Sequence, residues 1–167
     1  MSGRLAVWAL RLLLVALLVG VTIRGRDRLG ASVLLQRAEL WSMEAVRLGQ
    51  AGTNILRANL GLLGRAAELD PVEPAIPLAS GSVHLLLGGP AVAVDFYQQS
   101  LALEKRPETY LNLGRAELAL GRQQEARASF ALALKLDPLL EPQVPAPFRP
   151  SRSTLEEEAR EPAADSP

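Results

Sequence analysis

The chain of 167 residues has no cysteine and only one histidine, His84. The absence of cysteine excludes disulfide bonds, thiolate metal sites and Cys–His catalytic dyads. A zinc site also lacks ligands, because no second histidine accompanies His84. The missing thiols do not indicate a compartment, since a chain without cysteine is compatible with any redox state.

An excess of one charge is also lacking, since 18 lysines and arginines balance 18 aspartates and glutamates. The overall charge therefore gives no reason to expect a nucleic-acid partner. No G-x-x-x-x-G-K-[ST] loop is present, which argues against a phosphate-binding nucleotide site. No group of carboxylates stands out as catalytic. We therefore expect neither an enzyme nor a bound cofactor or metal.

Aromatic residues make up only 4% of the chain, whereas hydrophobic residues make up 49% and are mostly leucine, alanine and valine. These are the residues that helices use to pack on helices. The composition favours an all-α fold, and the length allows one small domain with appendages.

The clearest pattern lies in residues 107–138, which divide at Gly121 into two amphipathic halves. Apolar and small residues recur in steps of three and four in both halves, which predicts two helices. Gly121 can adopt the left-handed conformation that ends the first helix, and Pro138 prevents the second from continuing. Gly114 and Ala126 are small enough to let the helices approach closely, with Phe130 filling the space beside them. The prediction is a helical hairpin.

The same pattern recurs 33 residues upstream, which defines a second unit at 74–106. The matched pairs are Gly81 with Gly114, Gly88 with Gly121, Ala93 with Ala126, Tyr97 with Phe130, and Leu101 with Leu134. A third, eroded unit ends in AAELDP at Ala66–Pro71, which is similar to ALKLDP at Ala133–Pro138.

These units resemble tetratricopeptide repeats over residues 40–138, which implies a short α-solenoid of helical hairpins. The last unit matches the family pattern at Tyr110, Leu113-Gly114, Ala126, Phe130, Ala133 and Pro138. Glu117 stands where the family has an aromatic residue. The middle unit departs from the pattern at Pro77, Ser80, His84 and Lys105. At this position His84 is expected to fill the core.

In this family the first helices of successive repeats line a groove that holds a peptide or a partner helix. The groove residues that the resemblance implies are Leu78, Ser82, Leu85, Leu111, Asn112, Arg115 and Leu118. Asn112 and Arg115 lie one helical step apart and are expected to bond a peptide backbone and an acidic side chain. The alternative is that Arg115 is an ordinary solvated residue. The paired lysines and asparagines with which some members clamp a terminal carboxylate are not present as a set.

The N-terminal stretch Leu5–Ile23 is 19 residues long and carries one charge, Arg11. A helix of this length spans about 28 Å, close to the ~30 Å hydrocarbon core of a bilayer. A cleaved signal peptide is the alternative, but no small-residue cleavage site follows. Arg24, Arg26 and Arg28 favour a cytoplasmic position for the repeats, with a periplasmic position as the other arrangement.

The predicted organisation has five parts. These are a transmembrane anchor with a basic flank at 1–28, a degenerate repeat or capping hairpin at 29–73, repeats at 74–106 and 107–138, and a Pro-rich, acidic, disordered tail at 139–167. The function we expect is a bacterial-style, membrane-anchored adaptor or assembly factor that binds a protein or peptide. The alternative is a structural subunit of a membrane complex, whose repeat domain is permanently buried. The other route to a partner is the open end of the array, since no further helix is expected after Pro138. A membrane complex or a homodimer would cover the edge there, near Leu132, Leu136, Leu139 and Leu140.

Overall fold

The computed structural model describes the backbone of residues 2–149 and the side chains of residues 12–149. Residues 150–167, which hold the acidic part of the predicted tail, lie outside the described residues. The helices are α1 Ser2–Leu48, α2 Thr53–Leu69, α3 Ala75–Leu86, α4 Pro90–Leu103, α5 Pro107–Ala119 and α6 Gln123–Leu136, with 3₁₀ helices at Gly49–Gly52, Pro138–Gln143 and Ala146–Phe148. The described part of the chain contains no strand, so the predicted all-α fold is confirmed there. The chain divides into two compact units, Met1–Val83 and His84–Pro167.

The first unit is built on a hairpin of α1 and α2. Small residues spaced seven apart, Ala31, Ala38 and Ala45, are buried along one side of α1. Seven residues are about two helical turns, so the three alanines lie on one face. The Asn59 side-chain amide donates to the Ala38 carbonyl at 2.7 Å and to Ser42 Oγ at 2.9 Å. Small side chains let α2 approach close enough for the Asn59 bonds to form.

Helix α1 is continuous from Ser2 to Leu48, whereas the sequence predicted an anchor at Leu5–Ile23 and a separate helix after it. No proline or positive-φ glycine interrupts the basic segment between them, so the helix continues through it. Among the residues searched, no helix combines the length and the apolar character needed to cross a membrane. The side chains of 5–11, the first part of the predicted anchor, lie outside the described residues.

In the second unit two helices end at glycines in the left-handed conformation, Gly88 at φ 77° and Gly121 at φ 76°. Behind Gly121, the Arg122 N–H donates to the Glu117 carbonyl at 2.9 Å and the Gly121 N–H to the Leu118 carbonyl at 3.0 Å. The same pair of bonds forms behind Gly88. Both ends are Schellman motifs, which satisfy the last carbonyls of a helix. The prediction that Gly121 ends the first helix of its hairpin is confirmed.

Helices α5 and α6 approach each other at Gly114. A Cβ atom on Gly114 would lie 2.7 Å from Phe130 Cε1, and the Phe130 side chain is fully buried. The glycine therefore leaves the space that the phenyl ring fills, as the sequence predicted. His84, expected from the sequence to fill the core, is half-buried and stacks on Phe96 with ring centroids 5.2 Å apart.

The segment after α6 differs from the prediction of a disordered tail beginning at 139. Residues 138–149, called the C-terminal strap below, form the two last 3₁₀ helices. The strap buries Leu140 and Val144 against residues of α5 and α6, and Phe148 packs beside them. Its prolines do exclude an α-helix, but the apolar residues between them pack against the apolar side chains of α5 and α6. Leu140 is therefore part of the core and not part of an open edge.

Candidate functional site

The predicted binding residues of α3 lie along one side of that helix. Leu78 and Ser82 belong to the first unit, Leu85 to the second, and all three are half-buried. Ser82 Oγ donates to the Leu78 carbonyl at 3.0 Å, one helical turn back. This bond satisfies the hydroxyl within its own helix, which is common for serine in helices.

The two predicted apolar binding residues of α5, Leu111 and Leu118, pack in the cluster that also contains the buried residues of the strap. Leu111 is only 3% exposed, in a buried cluster with Phe130, Leu140 and Val144. Leu118 is half-buried and packs against the same cluster. Leu111 therefore presents almost no side-chain surface to a partner in this structure, and its role in a groove stays a prediction.

The two polar binding residues of α5 form a pair that reaches the strap. Arg115 Nη1 donates to Asn112 Oδ1 at 3.1 Å, and Arg115 Nη2 donates to the Gln143 carbonyl at 3.2 Å. The sequence predicted that this pair would bond a peptide backbone and an acidic side chain. In the structure the guanidinium bonds a main-chain carbonyl of the protein's own strap, and Asn112 holds the guanidinium from the helix side.

Several further contacts hold the strap in shape. The Phe148 ring lies 5.4 Å from the Phe130 ring, and the Arg127 guanidinium lies 5.4 Å from the Phe148 centroid, within the range of a cation–π contact. Arg149 Nε donates to the Val144 carbonyl at 2.8 Å. Sequence reasoning missed Val144 and Phe148. Their signal was the four-residue spacing of Leu140, Val144 and Phe148 between prolines.

A buried carboxylate lies inside the same hairpin. Glu117, at the position where the family pattern has an aromatic residue, is buried, and Ser129 Oγ donates to its Oε2 at 2.7 Å. Burial raises the pKa of Glu117 above its usual value, although the Ser129 hydrogen bond opposes the rise. The neighbouring Glu125 adds to the rise in the pKa and Arg122 reduces it.

Among the described residues, no three histidine, aspartate or glutamate side chains cluster as metal ligands. Helix α5 places the apolar side chains of Leu111 and Leu118 beside the Arg115 guanidinium, which donates to a main-chain carbonyl. A surface of this kind can hold an extended or 3₁₀ segment of polypeptide.

Comparison with known proteins agrees with the repeat pattern. The family model described as tetratricopeptide repeat matches residues 107–140. No curated protein sequence matches the chain at a significant level. Among solved structures, the chain is similar to TTC0263, a thermophilic tetratricopeptide repeat protein of Thermus thermophilus. The two share 31% identity with a TM-score of 0.61, over 77% of this chain and 69% of that one.

Two further structures share the fold at lower identity. The first tetratricopeptide repeat domain of Spaghetti (RPAP3), bound to the HSP90 peptide SRMEEVD, is 22% identical with a TM-score of 0.58, over 66% of this chain and 82% of that one. The first such domain of the human RPAP3 protein is 23% identical with a TM-score of 0.56, over 65% and 79%. From the repeat pattern, the helical hairpins, the family model and the similarity to TTC0263, we conclude that the chain belongs to the tetratricopeptide repeat family.

Proposed function

We propose that this protein is an adaptor or assembly factor that binds a peptide or a partner helix along α5, and that α1 attaches it to a membrane. The observation that carries the proposal is the hydrogen bond from Arg115 to the Gln143 carbonyl. Because α5 already holds a polypeptide segment by its main chain and its apolar side chains, the same surface can hold a segment of another protein. The Spaghetti domain, which has a similar fold and is bound to an HSP90 peptide, supports a peptide as the kind of partner.

Membrane attachment is supported by the apolar stretch at the start of α1. Large apolar side chains are exposed around the helix at Leu12, Leu13, Leu14, Val15, Leu17, Leu18, Val19, Val21 and Ile23. Exposing so many apolar side chains to water raises the free energy of the protein, and transferring them to lipid lowers it. Arg24, Arg26 and Arg28 follow directly, and they favour a cytoplasmic position for the repeats.

A second candidate function is a structural subunit of a membrane complex. It is favoured by exposed leucines at the end of α6 and the start of the strap, namely Leu132, Leu136 and Leu139. A permanent partner would cover these side chains. In that case the protein purified alone aggregates unless the partner is co-expressed, whereas an adaptor remains a monomer at all concentrations tested.

Position-specific crosslinking in membranes from the native host distinguishes the two functions. A photoreactive residue is placed in the full chain at Asn112, at Leu136, or at Gln124, an exposed residue of α6 that serves as the control. A crosslinked protein of defined mass at Asn112 alone supports the adaptor. A product at Leu136 alone supports the subunit. Products at neither position, or equally at all three, contradict both functions.

A further inference from the structure

We propose that the C-terminal strap is a displaceable internal occupant of the α5 binding surface. The partner that replaces it is then a proline-punctuated segment with three apolar side chains four residues apart. The proposal rests on the proposed adaptor function, and it specifies both the class of peptide that α5 takes and how access to α5 is controlled.

The apolar side chains of the strap fit against the hairpin of α5 and α6. Leu140 and Val144 are buried, Val144 with only 1% of its surface exposed, and Phe148 follows at the same spacing. Their neighbours in the buried cluster include Leu111 of α5 and Phe130 of α6. Because buried apolar area supplies most of the free energy of such contacts, a competing segment must present a similar trio.

The polar residues of α5 recognise the strap through a main-chain carbonyl. Arg115 donates to the Gln143 carbonyl, and Asn112 orients the guanidinium. Every peptide has carbonyls, so this bond fixes the position of a segment without demanding a particular side chain. It transfers unchanged to an incoming partner, whereas the apolar trio supplies the selectivity.

The strap can leave because its own N–H groups donate to nearby carbonyls, and the bond from Arg115 to the Gln143 carbonyl is a side-chain bond at the surface. The N–H groups of Leu140, Val144, Phe148 and Arg149 donate to carbonyls three residues earlier, at Asp137, Glu141, Pro145 and Ala146. Prolines at 142, 145 and 147 have no N–H to donate. Segments with few hydrogen bonds to the rest of a protein open at lower free energy than the helices beneath them.

Attachment at Asp137 makes the strap a strong competitor for its own site. A segment on a short tether acts at an effective concentration on the order of millimolar. A partner can bind only those molecules in which the strap is open. Its apparent affinity is therefore its intrinsic affinity multiplied by the open fraction, which is small when the strap is mostly closed. Weakening the strap therefore strengthens partner binding, which a purely structural cap would not do.

The test uses a fluorescent peptide with the sequence of residues 137–149, added to the full-length protein. Val144→Asp in the protein weakens the internal strap and is expected to raise the affinity for the peptide at least tenfold. Ala146→Asp is the matched control, because Ala146 is exposed on the same segment, and it should leave the affinity unchanged. A peptide carrying Asp at the position of Val144 should not bind. A folded Val144→Asp protein that binds the peptide no better than the unaltered chain overturns the proposal.

Hydrogen exchange on the unaltered protein tests opening directly, should Val144→Asp fail to fold. The amides of Leu140, Val144 and Phe148 should exchange well before those of α5 and α6. Exchange of the strap only together with α6 identifies it as a permanent cap and overturns the proposal. Crosslinking at Asn112 reports separately on the adaptor function, so a partner found there with a permanently closed strap contradicts this inference alone.

Discussion

The absence of a side chain at Gly114 lets α5 and α6 approach each other closely. Gly114 faces the fully buried ring of Phe130, and an added Cβ would lie within 3.0 Å of three ring atoms. Gly114→Ala gains helix propensity but forces the ring to move inside a packed core. The loss should outweigh the gain, with unfolding free energy lower by about 1–3 kcal/mol in chemical denaturation.

The control for this prediction is a double-mutant cycle with Phe130→Leu. The smaller side chain makes room for the added methyl, so Gly114→Ala should cost less in the Phe130→Leu background than alone. Strictly additive effects would show that the two positions do not share the space described above.

Glu117 provides a prediction about pH. Burial raises the pKa of this carboxyl, so the folded chain binds its proton more tightly than the unfolded chain does. Proton binding by Glu117 therefore stabilises the folded state. This contribution to the free energy of unfolding is complete below the pKa of the unfolded chain, about 4.3, and is lost as the pH rises through the raised pKa of the folded chain. Glu117→Gln keeps the shape and an acceptor for Ser129 without the charge. It should raise the melting temperature at pH 7, by an amount that shrinks towards pH 4.

The matched variant is Glu108→Gln, at an exposed carboxylate in the first turn of α5. There the charge interacts favourably with the helix dipole, so its removal should leave the melting temperature at pH 7 unchanged or slightly lower. If Glu117→Gln lowers stability at pH 7 as Glu108→Gln does, the buried carboxylate is stabilised more by Ser129 than it is penalised by burial.

At the scale of helices, the α1–α2 hairpin depends on a close backbone approach at its turn. Gly52 is buried, and a Cβ there would lie 2.6 Å from Ala45 Cα and overlap the Ala45 carbonyl. Backbone atoms cannot step aside as a flexible side chain can. Gly52→Ala should therefore destabilise the hairpin by at least about 1–3 kcal/mol.

Gly64 is the control for that substitution, because it lies inside α2 with no atom within 4 Å of an added Cβ. Gly64→Ala should leave stability unchanged or raise it by up to about 1 kcal/mol through helix propensity. Thermal unfolding followed by circular dichroism compares the two variants. Equal melting temperatures would contradict the close approach at Gly52.

The helical hairpin at 107–138 could be predicted because its signals are local. Gly121 and Pro138 mark the helix ends, and the steps of three and four residues mark the buried faces. The strap could not be predicted in this way, because its structure depends on the apolar end of the last hairpin, which includes Leu111, far from the strap in sequence. Its prolines predicted correctly that no α-helix forms, and nothing local showed that its apolar trio would find a surface to cover.

The continuity of α1 was missed for a related reason. The segment Arg24–Arg28 changes the composition from apolar to charged, and such a change suggests the end of one element and the start of another. Composition decides whether a helix face contacts water, lipid or protein, whereas proline and glycine in a left-handed conformation are strong signals that a helix ends. Helix α1 is therefore continuous, and its apolar first half runs directly into the second half, which packs in the hairpin.

For the whole molecule, this continuity joins the proposed membrane attachment to the repeat domain without a flexible linker. Leu14 and Leu40 are both exposed leucines of α1, at 55% and 57%, but only Leu14 lies in the apolar stretch near the middle of Leu5–Ile23. An arginine at the centre of a membrane-spanning helix costs roughly 2.5–3.5 kcal/mol. Leu14→Arg should therefore shift the full-length protein from the carbonate-washed membrane fraction into the supernatant, whereas Leu40→Arg should not.

If both variants and the unaltered chain remain in the supernatant, the exposed apolar side chains of α1 meet another protein and not lipid. If all three stay with the membrane, attachment does not depend on this stretch. Protease treatment of intact cells and of lysed cells then places residues 29–149 on one side. Protection in intact cells agrees with the cytoplasmic position that Arg24, Arg26 and Arg28 favour. Because α1 enters the α1–α2 hairpin without a break, the side found for the hairpin is the side on which partners must be sought.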